Sequence, residues 1–223
     1  MSAKPYSYSK LKTWSSCPRK FDALYVSKTH TQPITAALTQ GTEVHKKLED
    51  ALKTDAPAPP PGLKVPEKFW KLLRKLETTV EVPMAYSLRH DSNCKWEDST
   101  AILRGKIDVE AVWGTPGNYK TMLVDWKTGN PTYMADELQA KVYGLFFAHT
   151  PGSMVRGRDN IIFCWQNPIY GTHKLQKINC EEAKREVLTL IDVVDKTTNY
   201  NPKPGPLCPW CPVVECEYFK RRR

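Results

Sequence analysis

Leu123-Val-Asp-Trp-Lys127 decides how the rest of the chain is read. Its composition suits a buried strand, and a strand alternates its side chains, so Asp125 and Lys127 leave the same face. An acid and a base then stand side by side on a rigid element, beside the apolar Val124 and Trp126 and ahead of a Thr128-Gly129 turn. An isolated acid–lysine pair two apart is more often a solvated surface feature. Its meaning therefore depends on the neighbouring segments.

Working backwards, Ile107, Val109, Ala111 and Trp113 alternate with Asp108, Glu110 and Val112, which predicts a strand with Asp108 off its apolar row. Thr115-Pro-Gly-Asn118 is a turn signal, so this strand and residues 120–127 are expected to form a hairpin. In register, the hairpin brings Asp108 and Asp125 to one cavity. Two buried anions with only Lys127 nearby would cost on the order of several kcal/mol each. A divalent cation removes that penalty, and hard carboxylate oxygens suit Mg2+ or Mn2+. Such an ion activates a water and offsets charge on a phosphate. Lys127 is then placed to orient or deprotonate that water, or to stabilise a pentavalent phosphorus. The chemistry expected is phosphodiester cleavage.

Further out, Val80, Val82, Met84, Tyr86 and Leu88 alternate with Glu81, Pro83, Ala85 and Ser87, predicting a half-buried strand. Glu81, opposite the apolar row, is either a surface glutamate or a carboxylate beside the site. Residues 7–26 predict two helical pieces, with Leu11 and Trp14, then Phe21, Leu24 and Tyr25, as apolar contacts; Pro18 suits the first turn of the second piece and Cys17 falls at the joint. A helix is expected over about 42–52, with Val44, Leu48, Ala51 and Leu52 inward. Four prolines in 56–62 exclude helix there, and a short helix follows at 67–76. A helix over 136–148 carries Leu138, Val142, Leu145 and Phe146, and strands follow at 161–165 and 174–178. Asn179 with Glu182 resembles a capping box opening a helix to about 196. The predicted class is α/β, a mixed central sheet flanked by helices, with no internal repeat.

With 40% hydrophobic residues in 223, the chain can bury a core, which excludes wholesale disorder. A net charge of +9 implies an anionic partner, nucleic acid first. No apolar run approaches the ~18 residues of a membrane helix. The opening Met-Ser-Ala-Lys-Pro-Tyr-Ser-Tyr lacks the apolar stretch of a secretion signal, so the expected location is the cytoplasm and no membrane partner is expected. A Gly-rich Lys-Ser/Thr phosphate loop is missing, so any unwinding engine is expected to be a separate helicase or recombination partner.

Seven cysteines in a reducing compartment call for a reason other than disulfides. Cys208-Pro-Trp-Cys211-Pro-Val-Val-Glu-Cys216 clusters three thiols. A fourth ligand is needed to close a tetrahedral site, and Cys17, in Trp14-Ser-Ser-Cys-Pro-Arg-Lys-Phe21, is the best candidate. Cys94, Cys164 and Cys180 lack such spacing and read as core or surface residues. Four thiolates suit a zinc ion or an iron–sulfur cluster. Lys10, Lys12, Arg19, Lys20 and Lys28 gather near the start and Lys220–Arg223 close the chain, together a candidate phosphate-binding surface. Trp14, Trp96 and Trp210 are of the type that stacks on unpaired bases, with a core role favoured for Trp14 and Trp210.

Four stretches then fall in a known order: Gly41-Thr-Glu-Val-His45, Gly105-Lys-Ile-Asp108, Val124-Asp-Trp-Lys-Thr-Gly129 and Gln139-Ala-Lys-Val-Tyr143. Through them the chain resembles the PD-(D/E)XK nucleases, specifically the RecB-like branch that includes CRISPR-adaptation and phage exonucleases. With the cysteines, the resemblance runs from residue 7 to 219. It implies a restriction-endonuclease-like core in which His45, Asp108 and Asp125 are metal ligands, the Trp126 carbonyl completes the shell and Lys127 is catalytic. Gln139 and Tyr143, four apart on one helical face, would lie beside the site and help place the lysine or the DNA. Many relatives have Asp-Arg-x-Asp where this chain has Asp108-Val-Glu110, so any contact made by that arginine is in doubt.

In relatives with an iron–sulfur cluster, one early cysteine and three late ones hold [4Fe-4S]. Cys17, Cys208, Cys211 and Cys216 match that plan, although the last gap is shorter than in many relatives; structural Zn2+ is the alternative. The resemblance implies one nuclease domain over 1–223, a cluster subdomain formed by about 7–28 and 200–219, and a basic tail at 220–223. The expected function is a divalent-metal DNA exonuclease on single strands or DNA ends, in recombination, repair or phage DNA processing. A structure-directed endonuclease and a non-catalytic DNA-binding or assembly protein are the alternatives. Imidazole accepts Mn2+ readily, so His45 implies faster cutting with Mn2+.

Overall fold

A computed structural model describes residues 4–115, 118–148 and 161–219; the basic stretch 220–223 lies outside the described residues. Six strands form the sheet: β1 (Glu77–Ser87), β2 (Ser92–Cys94), β3 (Ala101–Thr115), β4 (Asn118–Trp126), β5 (Ile161–Asn167) and β6 (Thr172–Ile178). Their order is β2-β1-β3-β4-β5-β6. Thr115 pairs with Asn118, so β3 and β4 are the expected hairpin, although its two central residues are not described. β4 and β5 run parallel and the remaining neighbours antiparallel. A parallel pair requires a crossover, and α5 (Glu137–Ala148) lies in that connection. The mixed α/β class expected from the sequence is the class observed.

Helices cover both faces. One layer combines α1 (Tyr8–Ser16), α5 and α6 (Cys180–Lys196) over Leu103, Ile107, Leu123 and Phe163. The other sets α3 (Ala36–Lys53) and α4 (Glu67–Lys75) over Val109, Ala111, Val124 and Trp126. Capping defines most helix ends. Ser7 accepts from the Lys10 amide to open α1, and Cys17 closes it, with Pro18 in the first turn of α2 (Pro18–Phe21). Asn179 accepts from the Glu182 amide at 3.1 Å, as the capping pattern predicts. α3 starts earlier than expected because Thr35, two residues after Pro33, caps the Leu38 amide; Gly41 therefore lies inside the helix.

Strict alternation fails at one place in each of two neighbouring strands. Val80 and Val109 pack in the α3/α4 layer, whereas Val82 and Ile107 pack in the other. Between them Glu81 adopts a left-handed backbone, φ 56°, opposite Asp108. The single apolar rows expected through 80–88 and 107–113 are thus split. Leu88 lies beyond the end of β1 and is exposed, so its expected place in the buried row is corrected. Trp210 is also exposed rather than in the core, while Trp14 packs edge-on against Phe21 and Tyr200. Among the described residues, no helix is long and apolar enough to cross a membrane.

The α3/α4 layer centres on Trp70, fully buried, whose indole N–H donates to the Ala56 carbonyl at 2.9 Å and ties down the proline-rich loop. Trp70→Ala removes that tie and opens a cavity behind the helix carrying His45. A loss of about 3–5 kcal/mol in unfolding free energy is expected by chemical denaturation. A change below about 1 kcal/mol would contradict this packing.

Candidate active site

The end of β4 gathers side chains from four elements. Asp125 is the penultimate residue of the strand and is buried; Lys127 lies one residue beyond it, its amide bonded to the Gln166 carbonyl at 2.8 Å. The Lys127 ammonium stands 2.8 Å from Asp125 Oδ2. Gln139 on α5 donates to Asp125 Oδ1 at 2.5 Å and accepts from the Trp165 indole at 3.0 Å, which fixes the amide's orientation. Asp108 on β3 accepts from the Trp126 amide at 2.7 Å, and His45 on α3 places Nδ1 3.3 Å from the same carboxylate oxygen. His45, Asp108 and the Asp125–Lys127 stretch, separated along the chain, thus meet as two side-chain pairs joined through the Trp126 amide.

Two glycines allow these approaches. A Cβ at Gly41 would come within 3.1 Å of the Thr128 hydroxyl, so a bare backbone lets α3 close on the turn after Lys127. A Cβ at Gly105 would meet the Tyr143 and Phe146 rings at 3.1 Å. The Tyr143 hydroxyl then donates to the Lys106 carbonyl at 2.7 Å, fixing β3 two residues before Asp108. Tyr143 is therefore placed to act through the strand backbone, while Gln139 touches the acid directly.

The electrostatics follow from burial. It pushes the Asp125 carboxyl above the ordinary carboxylate range; Lys127 opposes this and Asp108 adds to it. Burial disfavours the His45 imidazolium, yet the hydrogen bond and charge of Asp108, with Asp125 and the Trp126 backbone, hold its pKa above the usual value. Although the ammonium is close, Asp125 Oδ2 has no partner in hydrogen-bond geometry. That oxygen is compensated by the Lys127 charge alone, and a divalent cation would compete for it. Among the described residues, no group of three or more His, Cys, Asp or Glu side chains stands in an arrangement that could hold a metal ion. His45 is instead turned to Asp108 and Lys127 to Asp125. One imidazole, two carboxylates and a nearby carbonyl are nonetheless a donor set suited to Mg2+ or Mn2+.

Three contributors were not singled out in the sequence. Asp136 opens α5: its side chain accepts from the Gln139 amide at 3.3 Å, forms an ion pair with Lys12 and lies beside Tyr8. The spacing Asp136-x-x-Gln139 has the form of a helix-opening signal and could have revealed it. Trp165 and Tyr8 carry no such local mark; tertiary packing alone brings them in.

The four candidate cluster cysteines line one cavity of about 530 Å3, together with Lys12, Lys20 and residues 202–208. Cys17 Sγ accepts from the Lys203 amide at 3.4 Å and Cys208 Sγ from the Gly205 amide at 3.3 Å. Arg19 pairs with Glu217 and His30 with Glu215, so the two ends of the described chain are in contact. Cys164 and Cys180 are buried elsewhere and Cys94 is half-buried. Of the cations expected to meet DNA, Lys10 donates to the Pro5 carbonyl, Lys12 pairs with Asp136 and Arg19 with Glu217. These intramolecular partners compete with phosphate.

Asp125 and Lys127 thus lie at the end of the parallel β4–β5 pair, beside Asp108 of β3 and between two helix layers. The sequence model of the PD-(D/E)XK nuclease superfamily matches residues 5–97 and 64–216. The chain belongs to that superfamily, whose nucleases use divalent ions such as Mg2+ or Mn2+. No curated protein matches it. Among solved structures, the chain is similar to the crystal structure of SSO0001, with 14% identity and a TM-score of 0.46 over 96% of this chain and 87% of that one.

Proposed function

We propose that the protein is a DNA exonuclease of the RecB-like branch, acting on single strands or DNA ends. The observation that carries this reading is the buried Asp125, one oxygen held by Gln139 and the other free of a directed hydrogen bond beside Lys127. His45, Asp108, Asp125 and the Trp126 carbonyl would hold the ion, which supplies an activated water and offsets phosphate charge. Lys127 orients or deprotonates the nucleophile, or stabilises charge on the phosphorus. Gln139 locks Asp125, and the Trp126 amide holds Asp108. Lys10, Lys12, Arg19 and Lys20 are assigned to the DNA backbone once their internal partners exchange for phosphate.

The four cavity cysteines are assigned to a [4Fe-4S] cluster, with structural Zn2+ as the alternative. The support is the cysteine spacing, the lining of one cavity by all four thiols, and backbone N–H groups on two of the sulfurs. This unit, built from about 7–28 and 200–219, is a structural clamp within one nuclease domain. A recombination, repair or phage DNA-processing setting, with a separate helicase as partner, is consistent with such an activity.

The test is digestion of end-labelled single-stranded and double-stranded DNA, and of closed circles, with Mn2+, Mg2+ or chelator. Loss of end label with either ion, faster with Mn2+, intact circles and no reaction in chelator are expected. Nicked circles would instead indicate an endonuclease. Binding without cutting under every condition would indicate an assembly protein.

A further inference from the structure

Lys127 has a flexible four-carbon stem and lies just past the last paired residue of β4, so the ladder does not direct its ammonium. In the metal-free arrangement Asp125 holds it at 2.8 Å. That anchor is poorly suited to a loaded site, because a divalent ion on Asp125 competes for the same oxygen. A second contact is in place: the ammonium lies over the Tyr8 ring, 5.8 Å from its centroid. This is within the range at which a ring face attracts a cation.

We propose that Tyr8 is a positioning residue for DNA cleavage, its ring holding the Lys127 ammonium at the site when Asp125 is engaged by the ion. The proposal rests on the reading of Lys127 as the catalytic lysine. The ring is itself fixed. Tyr8 packs against the main core layer, and its hydroxyl lies beside the Asp136 carboxylate, whose charge acts on it. Burial first and Asp136 second keep the phenol well above its usual pKa range, so it remains a donor. Asp136 accepts from the Gln139 amide, and the Gln139 side chain holds Asp125. Asp136, Gln139, Asp125 and Lys127 thus form a chain of contacts whose two ends both lie beside Tyr8, which links the placement of the lysine to that of the acid.

Tyr8 is the first residue of α1, whose two ends are fixed by features that take no part in the chemistry. Ser7 caps one end and Cys17, a wall of the cysteine cavity, closes the other. α1 thus spans from the thiols to the lysine, and gives the ring a position that does not depend on the DNA.

The experiment compares wild type with Tyr8→Leu, Tyr8→Phe and Asp136→Asn, measuring kcat, KM and melting temperature in Mn2+. Tyr8→Leu should lower kcat about tenfold or more with KM within about twofold. Tyr8→Phe keeps the ring and should return kcat to within about threefold of wild type; Asp136→Asn, which removes the carboxylate charge beside Tyr8 and Lys12 while leaving the ring, should fall between the two. Should Tyr8→Leu fail to fold, the order wild type, Tyr8→Phe, Asp136→Asn still decides. Tyr8→Leu cutting at the wild-type rate, Tyr8→Phe as impaired as Tyr8→Leu, or a loss confined to KM or melting would each overturn the role. If an active wild type is unaffected by these changes, only Tyr8 is misassigned. A wild type inert with both ions overturns the nuclease reading and this inference with it.

Discussion

Asp125→Ala is expected to lower DNA cleavage by about 10³-fold or more, because several kcal/mol of charge stabilisation at the phosphate depends on the ion it would hold. Three contacts disappear at once: the Gln139 amide, the Lys127 ammonium and one ligand oxygen. DNA binding should change little, since phosphate contacts spread over many cations dominate affinity. Asp125→Asn separates chemistry from folding. It preserves shape and an acceptor for Gln139, while removing a carboxylate whose charged form burial disfavours. The sign is fixed by that direction. With a folded pKa above the unfolded one, ionised Asp125 opposes folding at neutral pH and above, and the opposition fades as pH falls through its folded pKa. In chelator at pH 7.5, roughly, Asp125→Asn should therefore melt no lower than wild type while remaining inactive with either ion. Substantial cleavage by either variant would remove Asp125 from the mechanism.

Cys208→Ala should lower the melting temperature by more than about 10 °C. A structural metal site in a small domain is worth on the order of 10 kcal/mol, and about 1 kcal/mol moves the melting of a chain this size by roughly 2–4 °C. The remaining thiols are partly exposed, since Cys17, Cys211 and Cys216 are each half-buried, and Arg19–Glu217 is an exposed pair that contributes little. The Trp14, Phe21 and Tyr200 rings would keep part of the contact between the two ends. Anaerobically purified wild type should show broad absorbance in the visible blue that the variant lacks. Unchanged melting would show that nothing bound at the thiols stabilises the fold, and a colourless wild type with one zinc would replace the cluster by that ion.

Much of this architecture was legible because its signals are local. Period-two alternation marked the strands, Asn179 and Pro18 marked helix starts, and the acid–lysine spacing marked the end of β4. The meeting of His45 with Asp108 could be anticipated only from the order of the four stretches, since no local rule joins a helix near the start to a strand 63 residues later. The start of α3 was legible too, from Pro33 and Thr35, but Gly41 drew the boundary inward because glycine ordinarily disfavours a helix interior. The parts that escaped are of another kind. Tyr8, Asp136 and Trp165 converge through packing of α1, α5 and β5, and glutamate at position 81 gives no hint of a left-handed backbone.

The left-handed backbone at Glu81 places a local irregularity of the sheet beside its acids instead of at its rim. Interrupted pairing lowers the local cost of opening, and segments that must admit a polymer are drawn from the less stable end of a fold. The Lys106 ammonium clasps the Glu81 carboxylate across the gap. The clasp is ionic and half-exposed, so it loosens as salt rises. A salt-sensitive ion pair therefore sits one strand position from Asp108, so ionic strength acts next to the acids.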